Sequence, residues 1–525
     1  MPTEVQKQST NRSITSVNPA NGEILRELSC ADREQVRSAV ARARTAQAIW
    51  FEIGVKRRIA VLREFQKKLH ARKSEIAASI TREAGKPYTE SLVTEVLVVL
   101  DAARFLIDHA WRLLRDEPVP HGNLATKLKR GRLLREPHGV IGIISPWNYP
   151  FSIPATEALA ALVAGNAVVL KPSELTSLVA LELGALLHAA GVPEDVFQIV
   201  IGDGPTGSAL IQSPIDKLVF TGSVATGKKI AAACADRLLP AVLELGGKDS
   251  MLVLDDADVD VASTAAVWGA FVNAGQACLS VERCYVHRSL YESFAKACAE
   301  KTKKLRVGNG ADSEIDIGPM IFEKQLNIVE SHVEDAKVRG ARVLAGGCRL
   351  PQLGRNFYAP TVLLDVTHEM RIMREETFGP VLPIMAFDSD DEAIRLANDS
   401  EYGLAASVWT RDSKRGERIA RRIHAGTVMI NDVISCFGIS EAPHGGVKAS
   451  GIGRAHGKFG LEEMVRTKYL DTDLMPGTKK LWWHGYGDSF RRQMEGFLDL
   501  QFGRGLATRL SGALRAAGAL REKKL

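Results

Sequence analysis

Cysteine is scarce in this 525-residue chain, with seven residues, an odd number, and no CxxC pair. A disulfide framework and a cysteine-based zinc site are thereby disfavoured, so a reducing compartment and no metal are expected. Long apolar runs are also missing. No stretch approaches the roughly 20 apolar residues of a membrane-spanning helix, and the opening MPTEVQKQSTNRS lacks the apolar core of a secretory signal, so a cytoplasmic location is expected. Most of the chain has no excess of charge. The first 475 residues set 58 Lys and Arg against 58 Asp and Glu, and the net +6 lies wholly in residues 476–525, with ten against four. That balance removes the case for a nucleic-acid face on the main body. Gly (45) and Pro (21) follow no repeating period, which excludes collagen-like and low-complexity chains.

The length suits two or three domains. Asp32 precedes Val36, Val40, Ala43 and Trp50 at helical spacing, with Gln35 placed to complete a capping box. The opening 115 residues read as mainly helical, with a helix stop at Glu83–Pro87, where Gly85 is free to take a positive φ. From residue 140 short apolar runs alternate with helical ones: VIGII (140–144), AVVL (167–170), VFQIV (196–200), KLVF (217–220) and AVLEL (241–245). Strands without polar alternation, separated by helices, require a parallel sheet covered on both faces, a doubly wound nucleotide-binding domain. The alternation resumes at 251–254, 284–287, 381–387, 406–410 and 427–431, predicting a second α/β domain. The basic stretch 124–139 reads as a protruding hairpin centred on Arg130-Gly131.

Ligands of a doubly wound sheet gather at the carboxyl ends of its strands. There lie SPWNYP (145–150), KPSE (171–174), GDGPTG (202–207), TGSVATG (221–227) and ELGG (244–247). TGSVATG leads into a helix, where backbone donors and Ser223 suit a phosphate, although its spacing fits neither GxGxxG nor GxxxxGK[ST]. A second centre is NAGQACLSVER (273–283), where Cys278 has polar, Gly-flanked surroundings after a predicted helix at 259–273. The other six cysteines read as small buried hydrophobes.

Together with EETFGP (375–380) and PHGGVKASGIGR (443–454), these motifs resemble, in order and approximate spacing, those of the aldehyde dehydrogenase superfamily over residues 15–470. The resemblance implies NAD(P)-dependent oxidation of a small-molecule aldehyde to the acid through a thioester. Cys278 matches the nucleophile, which needs a lowered pKa or local activation. Asn148 matches the side chain that, with the Cys278 backbone N–H, stabilises the oxyanion, and Glu244 matches the general base for the hydrolytic water. For the cofactor, Lys171 and Glu174 match adenosine-ribose contacts and Ser223 a pyrophosphate contact. Trp147 and Gly204 match positions on the adenine side, and Glu376 and Phe378 those at the nicotinamide. Glu174 favours NAD over NADP, since a carboxylate repels a 2′-phosphate, although Lys171 is able to turn toward one.

The implied architecture has an NAD-binding Rossmann-like domain (1–119 and 139–246), a catalytic domain (247–461) and oligomerisation strands (120–138 and 462–475) of a homodimer or homotetramer. Glu157 and His444 are expected at the substrate tunnel, with Tyr149, Ile153, Leu279, Phe437 and Ile439 making it mostly apolar. An aromatic or medium-to-long aliphatic aldehyde fits such a tunnel better than succinic semialdehyde, whose distal carboxylate wants a cation. Glu244 speaks against a CoA-acylating branch, and the complete set Cys278, Glu244 and Asn148 against a membrane-tethered or structural protein that kept only the fold. The extension 476–525 is basic, with Leu506, Leu510, Ala513, Leu514 and Ala517 on one helical face. Gly503, Gly505, Gly512 and Gly518 weaken that helix, which either packs on protein or frays, or lies in a membrane interface.

Overall fold

The computed structural model describes residues 12–480 and 482–517. They form two compact units. The first runs to Leu113 and resumes over Pro137–Val465, and the second joins Leu114–Glu136 to the segment from Arg466 on.

The first unit begins with an antiparallel pair, Ser13–Val17 against Ile24–Ser29, which the sequence reading passed over. Its strands are largely exposed and polar, so no apolar alternation marks them. Helices follow at Arg33–Glu52, Val55–Ala71, Lys73–Ala84 and Leu97–Leu113. Asp32 accepts from the Gln35 backbone while the Gln35 side chain accepts from the Asp32 backbone, the predicted capping box. Gly85, at φ 81°, ends the helix Lys73–Ala84 in the left-handed conformation.

All ten predicted parallel strands form, distributed over two sheets. The six-stranded sheet runs Gly451–Ile452, Ala241–Glu244, Lys217–Thr221, Val140–Ile144, Ala167–Lys171, Phe197–Ile199, parallel except for its first member. The seven-stranded sheet runs Arg342–Ala345, Thr361–Leu364, Val381–Phe387, Val281–His287, Asp249–Val253, Ala405–Trp409, Thr427–Ile430, with only the first pair antiparallel. Arg342–Ala345 and Thr361–Leu364 were not expected. The fold is thus the α/β, doubly wound class read from the sequence. Gly451 pairs with Glu244 and Ile452 with Leu243, so the late glycine motif closes the edge of the first sheet beside Glu244.

The second unit holds the three-stranded sheet Val465–Asp473, Lys129–Pro137, Glu117–Val119. Here the hairpin centred on Arg130-Gly131 is corrected. Gly131 lies inside a strand, opposite Val119, and the turn is replaced by a short 3-10 helix at Leu124–Thr126. The tail forms two helices, Asp488–Phe502 and Leu506–Ala516, packed on each other. Its glycines make that crossing close: a Cβ at Gly512 would fall 2.5 Å from the Leu500 amide nitrogen. Gly518 lies outside the described residues.

Candidate active site

The helix Val259–Phe271 ends where Asn273 and Ala274 adopt left-handed φ of 53° and 54°, and the turn they make presents Cys278. The thiol stands where two cavities meet; Cys278, Ile153 and Phe437 line both. One, of about 300 Å³, also takes Trp147, Asn148, Ser223, Glu244, Glu376 and Phe378. Seven of the ten predicted site residues therefore converge on one space. The other cavity, about 290 Å³, is lined by Tyr149, Leu279 and Ile439 among others, and none of its lining residues carries Lys, Arg, Asp or Glu chemistry.

Lys171, Glu174 and Gly204 line neither cavity. Lys171 closes the strand Ala167–Lys171, its ammonium 3.4 Å from Glu174 Oε2, and Gly204 opens the helix Gly204–Gln212. Trp147, expected on the adenine side, lines the cavity shared by Cys278 and Ser223, edge-on to Phe378 at 5.3 Å and to Phe322 at 5.7 Å. The sequence places Trp147 one residue before Asn148, and the turn after Val140–Ile144 carries both into the same space. Glu157 and His444, expected at the substrate tunnel, are near neighbours of Cys278 and Phe437. Both line the cavity of Cys278, Glu244 and Ser223; Glu157 accepts from Thr221 Oγ1 at 3.1 Å, and His444 stands edge-on to the tunnel residue Phe437 at 5.1 Å.

Backbone approaches are close. A Cβ at Gly247 would fall 2.6 Å from the Cys278 carbonyl oxygen, so only glycine lets the ELGG loop lie against the cysteine turn. Asn148 Nδ2 donates to Gln276 O at 3.1 Å, which engages one of its two hydrogens beside the cysteine. Glu244 is 5% exposed and neither carboxylate oxygen has a hydrogen-bond partner. Burial first, and then the neighbouring Glu157 carboxylate, pushes its pKa well above the usual range. Glu157 is raised to about 8 and Glu376 to about 8, both by burial. Cys278 is not lowered, as the chemistry alone would favour. Burial raises it strongly, and Asp249, Glu376 and Glu244 add to the effect, so activation has to be local.

The supporting groups escaped the sequence reading. The buried Lys86 ammonium bonds Glu95 at 2.7 Å and the Asn148 carbonyl at 2.8 Å, while Glu95 accepts from the Phe151 and Ser152 amides. Asn273 Nδ2 donates to the Asn148 and Gln276 carbonyls. Lys248 pairs with Glu282 at 2.5 Å, and Glu282 accepts from the Thr377 and Phe378 amides, which fixes the loop bearing Glu376. Lysines inside motifs, Lys86 in EAGKP and Lys248 in ELGGKD, were the available signal.

The donor set suits a dinucleotide. Ser223 caps the 13-residue helix Val224–Asp236, whose amide end is positive, and the Lys171–Glu174 pair offers a donor and an acceptor to a ribose diol. Among the described residues no His, Cys, Asp and Glu cluster suits a metal.

The profile of the aldehyde dehydrogenase family matches residues 5–470. The chain is 40% identical over 491 residues to 4,4'-diapolycopene aldehyde oxidase of a Methylomonas species, covering 94% of this chain and 92% of that one. That alignment exceeds the 475 residues preceding the tail and so runs into it. It is 37% identical to the mitochondrial succinate-semialdehyde dehydrogenase of Oryza sativa subsp. japonica, over 87% of this chain and 86% of that one. The structure of a Bacillus cereus aldehyde dehydrogenase in complex with NAD+ superposes with a TM-score of 0.85 at 35% identity, covering 88% of this chain and 94% of that one. With the motifs gathered around one cysteine and these likenesses spanning nearly the whole fold, the chain belongs to the aldehyde dehydrogenase family, as an NAD(P)-dependent oxidoreductase.

Proposed function

We propose that the chain oxidises an apolar aldehyde, aromatic or medium-to-long aliphatic, to its acid. The observation that carries this is the uncharged tunnel to Cys278, walled by Tyr149, Ile153, Phe437 and Ile439, with Trp268 and Leu97 toward solvent. A carboxylate-bearing semialdehyde would lie there without a cation, at the cost of an unpaired buried charge.

In this reading Cys278 Sγ adds to the aldehyde carbon and its proton passes to Glu244. The oxyanion accepts from the free hydrogen of Asn148 Nδ2 and from the Cys278 amide. NAD(P), when bound, accepts the hydride from the adduct. Glu244 gives the cysteine's proton up to solvent and, ionised again, takes a proton from water, whose oxygen attacks the thioester carbon; the C–S bond breaks and the thiolate is released. The raised proton affinity of Glu244 makes it a strong base once ionised. Lys171, Glu174 and Gly204 would hold the adenosine half, Ser223 the pyrophosphate, and Trp147, Glu376 and Phe378 the nicotinamide end. NAD is preferred to NADP on the carboxylate of Glu174.

The six-stranded sheet serves as the cofactor domain and the seven-stranded sheet as the catalytic one. The exposed strand Val465–Asp473 supports homo-oligomer formation, as dimer or tetramer. A lipid-phase aldehyde would also give the basic tail a purpose in contacting a membrane surface.

The test is initial NADH and NADPH formation with a long-chain aldehyde, benzaldehyde and succinic semialdehyde. Preference for the apolar substrates with NAD supports the reading; preference for succinic semialdehyde contradicts it.

A further inference from the structure

We infer that the C-terminal helical hairpin docks on the surface of an anionic lipid bilayer. The inference rests on the apolar-aldehyde reading for its purpose, while its evidence is separate. The hairpin satisfies itself along one line only: Gly496 and Gly512 cross closely, and Arg515 pairs with Asp499. What it leaves outside is apolar. Leu498 and Phe502 follow each other by one turn on the helix Asp488–Phe502, and Leu506, Leu510 and Leu514 by one turn each on the helix Leu506–Ala516. All five are between 51% and 81% exposed. Helices stabilised by packing do not ordinarily turn a leucine row to water; an unpaired stripe of this kind marks a binding surface.

Its charge selects the occupant. Among the described residues Arg492, Arg504 and Arg509 have no carboxylate partner, and the tail holds ten cations against four anions. Trp482, Trp483 and Tyr486, just upstream, are 44% to 66% exposed, the aromatic type that settles at headgroup depth. A second copy of the same face would bring like charges together, whereas anionic headgroups neutralise them while the leucines enter the acyl boundary. No helix of the described residues is long and apolar enough to cross a bilayer, so the contact is peripheral. The Methylomonas relative shares part of this segment.

The test uses the full chain, sedimented with vesicles of phosphatidylcholine alone or mixed with phosphatidylglycerol. Binding is expected to the mixed vesicles, to weaken with salt, and to fall at least about tenfold when Leu506, Leu510 and Leu514 are all changed to Ser. These side chains are exposed, so the variant should form NADH from propanal at the unaltered rate. Absence of binding, equal binding by the variant, or a drop in subunit number of the variant without lipid overturns the inference, the last by making the face a subunit contact. Vesicle binding by a chain that prefers succinic semialdehyde supports the inference and defeats the apolar-aldehyde reading, so the two fail separately.

Discussion

The Lys86 ammonium donates to the Asn148 backbone carbonyl at 2.8 Å, so a residue 62 positions upstream holds the turn that bears the oxyanion donor. The same ammonium pairs with Glu95, and both side chains are wholly buried. Lys86→Met leaves Glu95 as an unpaired buried charge and should cost about 3–5 kcal/mol in denaturant unfolding. Adding Glu95→Gln should recover part of that stability without restoring the rate of the NADH burst, because the Asn148 turn is still released. A full-rate burst in the double variant would show that the turn needs no such anchor.

Asn148→Ala removes the donor and leaves the backbone of the turn. The burst rate measured by stopped flow should fall about 10²–10³-fold with KM nearly unchanged, the pattern of a contact made in the transition state alone. A fall in KM-limited rate only would assign Asn148 to substrate binding.

Glu157 lies beside Glu244 and raises its proton affinity, second to burial. Glu244 serves as base only when ionised, so turnover climbs as pH rises through its pKa. Glu157→Gln keeps an acceptor for Thr221 while removing a carboxylate that ionises near pH 8. The alkaline part of the ascending limb should therefore move to lower pH. A pH–rate profile that stays in place, or moves up, contradicts the electrostatic coupling.

Ile439 is half exposed on the wall of the apolar tunnel. Ile439→Arg supplies the cation that the tunnel lacks. Relative kcat/KM should move toward succinic semialdehyde and away from a long-chain aldehyde, by about tenfold in the ratio, the worth of one charge-assisted hydrogen bond. An unchanged ratio would mean that the distal end of the substrate lies elsewhere.

The sheets were legible because buried parallel strands leave uninterrupted apolar runs, as in VIGII and AVVL, and the helix start at Asp32 because its capping box is local. The strands Ser13–Val17 and Ile24–Ser29 were not, being polar and half in water. The cysteine, glutamate and asparagine were found through motifs, and the apolar wall through the residues next to them. A motif gives chain order, while the side of a sheet that a turn faces is settled by packing, so the neighbours of Trp147, Glu157 and His444 became visible only in the fold. The pairing of Lys86 with Glu95 was not legible for a related reason: apart from the place of Lys86 in a motif, each is an ordinary charged residue on a helix or in a stop until the fold buries the pair together. Of the two routes to a reactive thiol, a lowered pKa or local activation, the second is left, because burial raises the Cys278 pKa and the nearby Asp249, Glu376 and Glu244 raise it further.

The two roles given to Cys278 and Glu244 meet in one measurement, NADH release and intact mass of Glu244→Gln mixed with NAD and a long-chain aldehyde. The account predicts a slowed accumulation of one NADH per chain, followed by a stall with the acyl group retained on the peptide containing Cys278. Steady turnover at the unaltered rate, or an acyl group on any other residue, would contradict it.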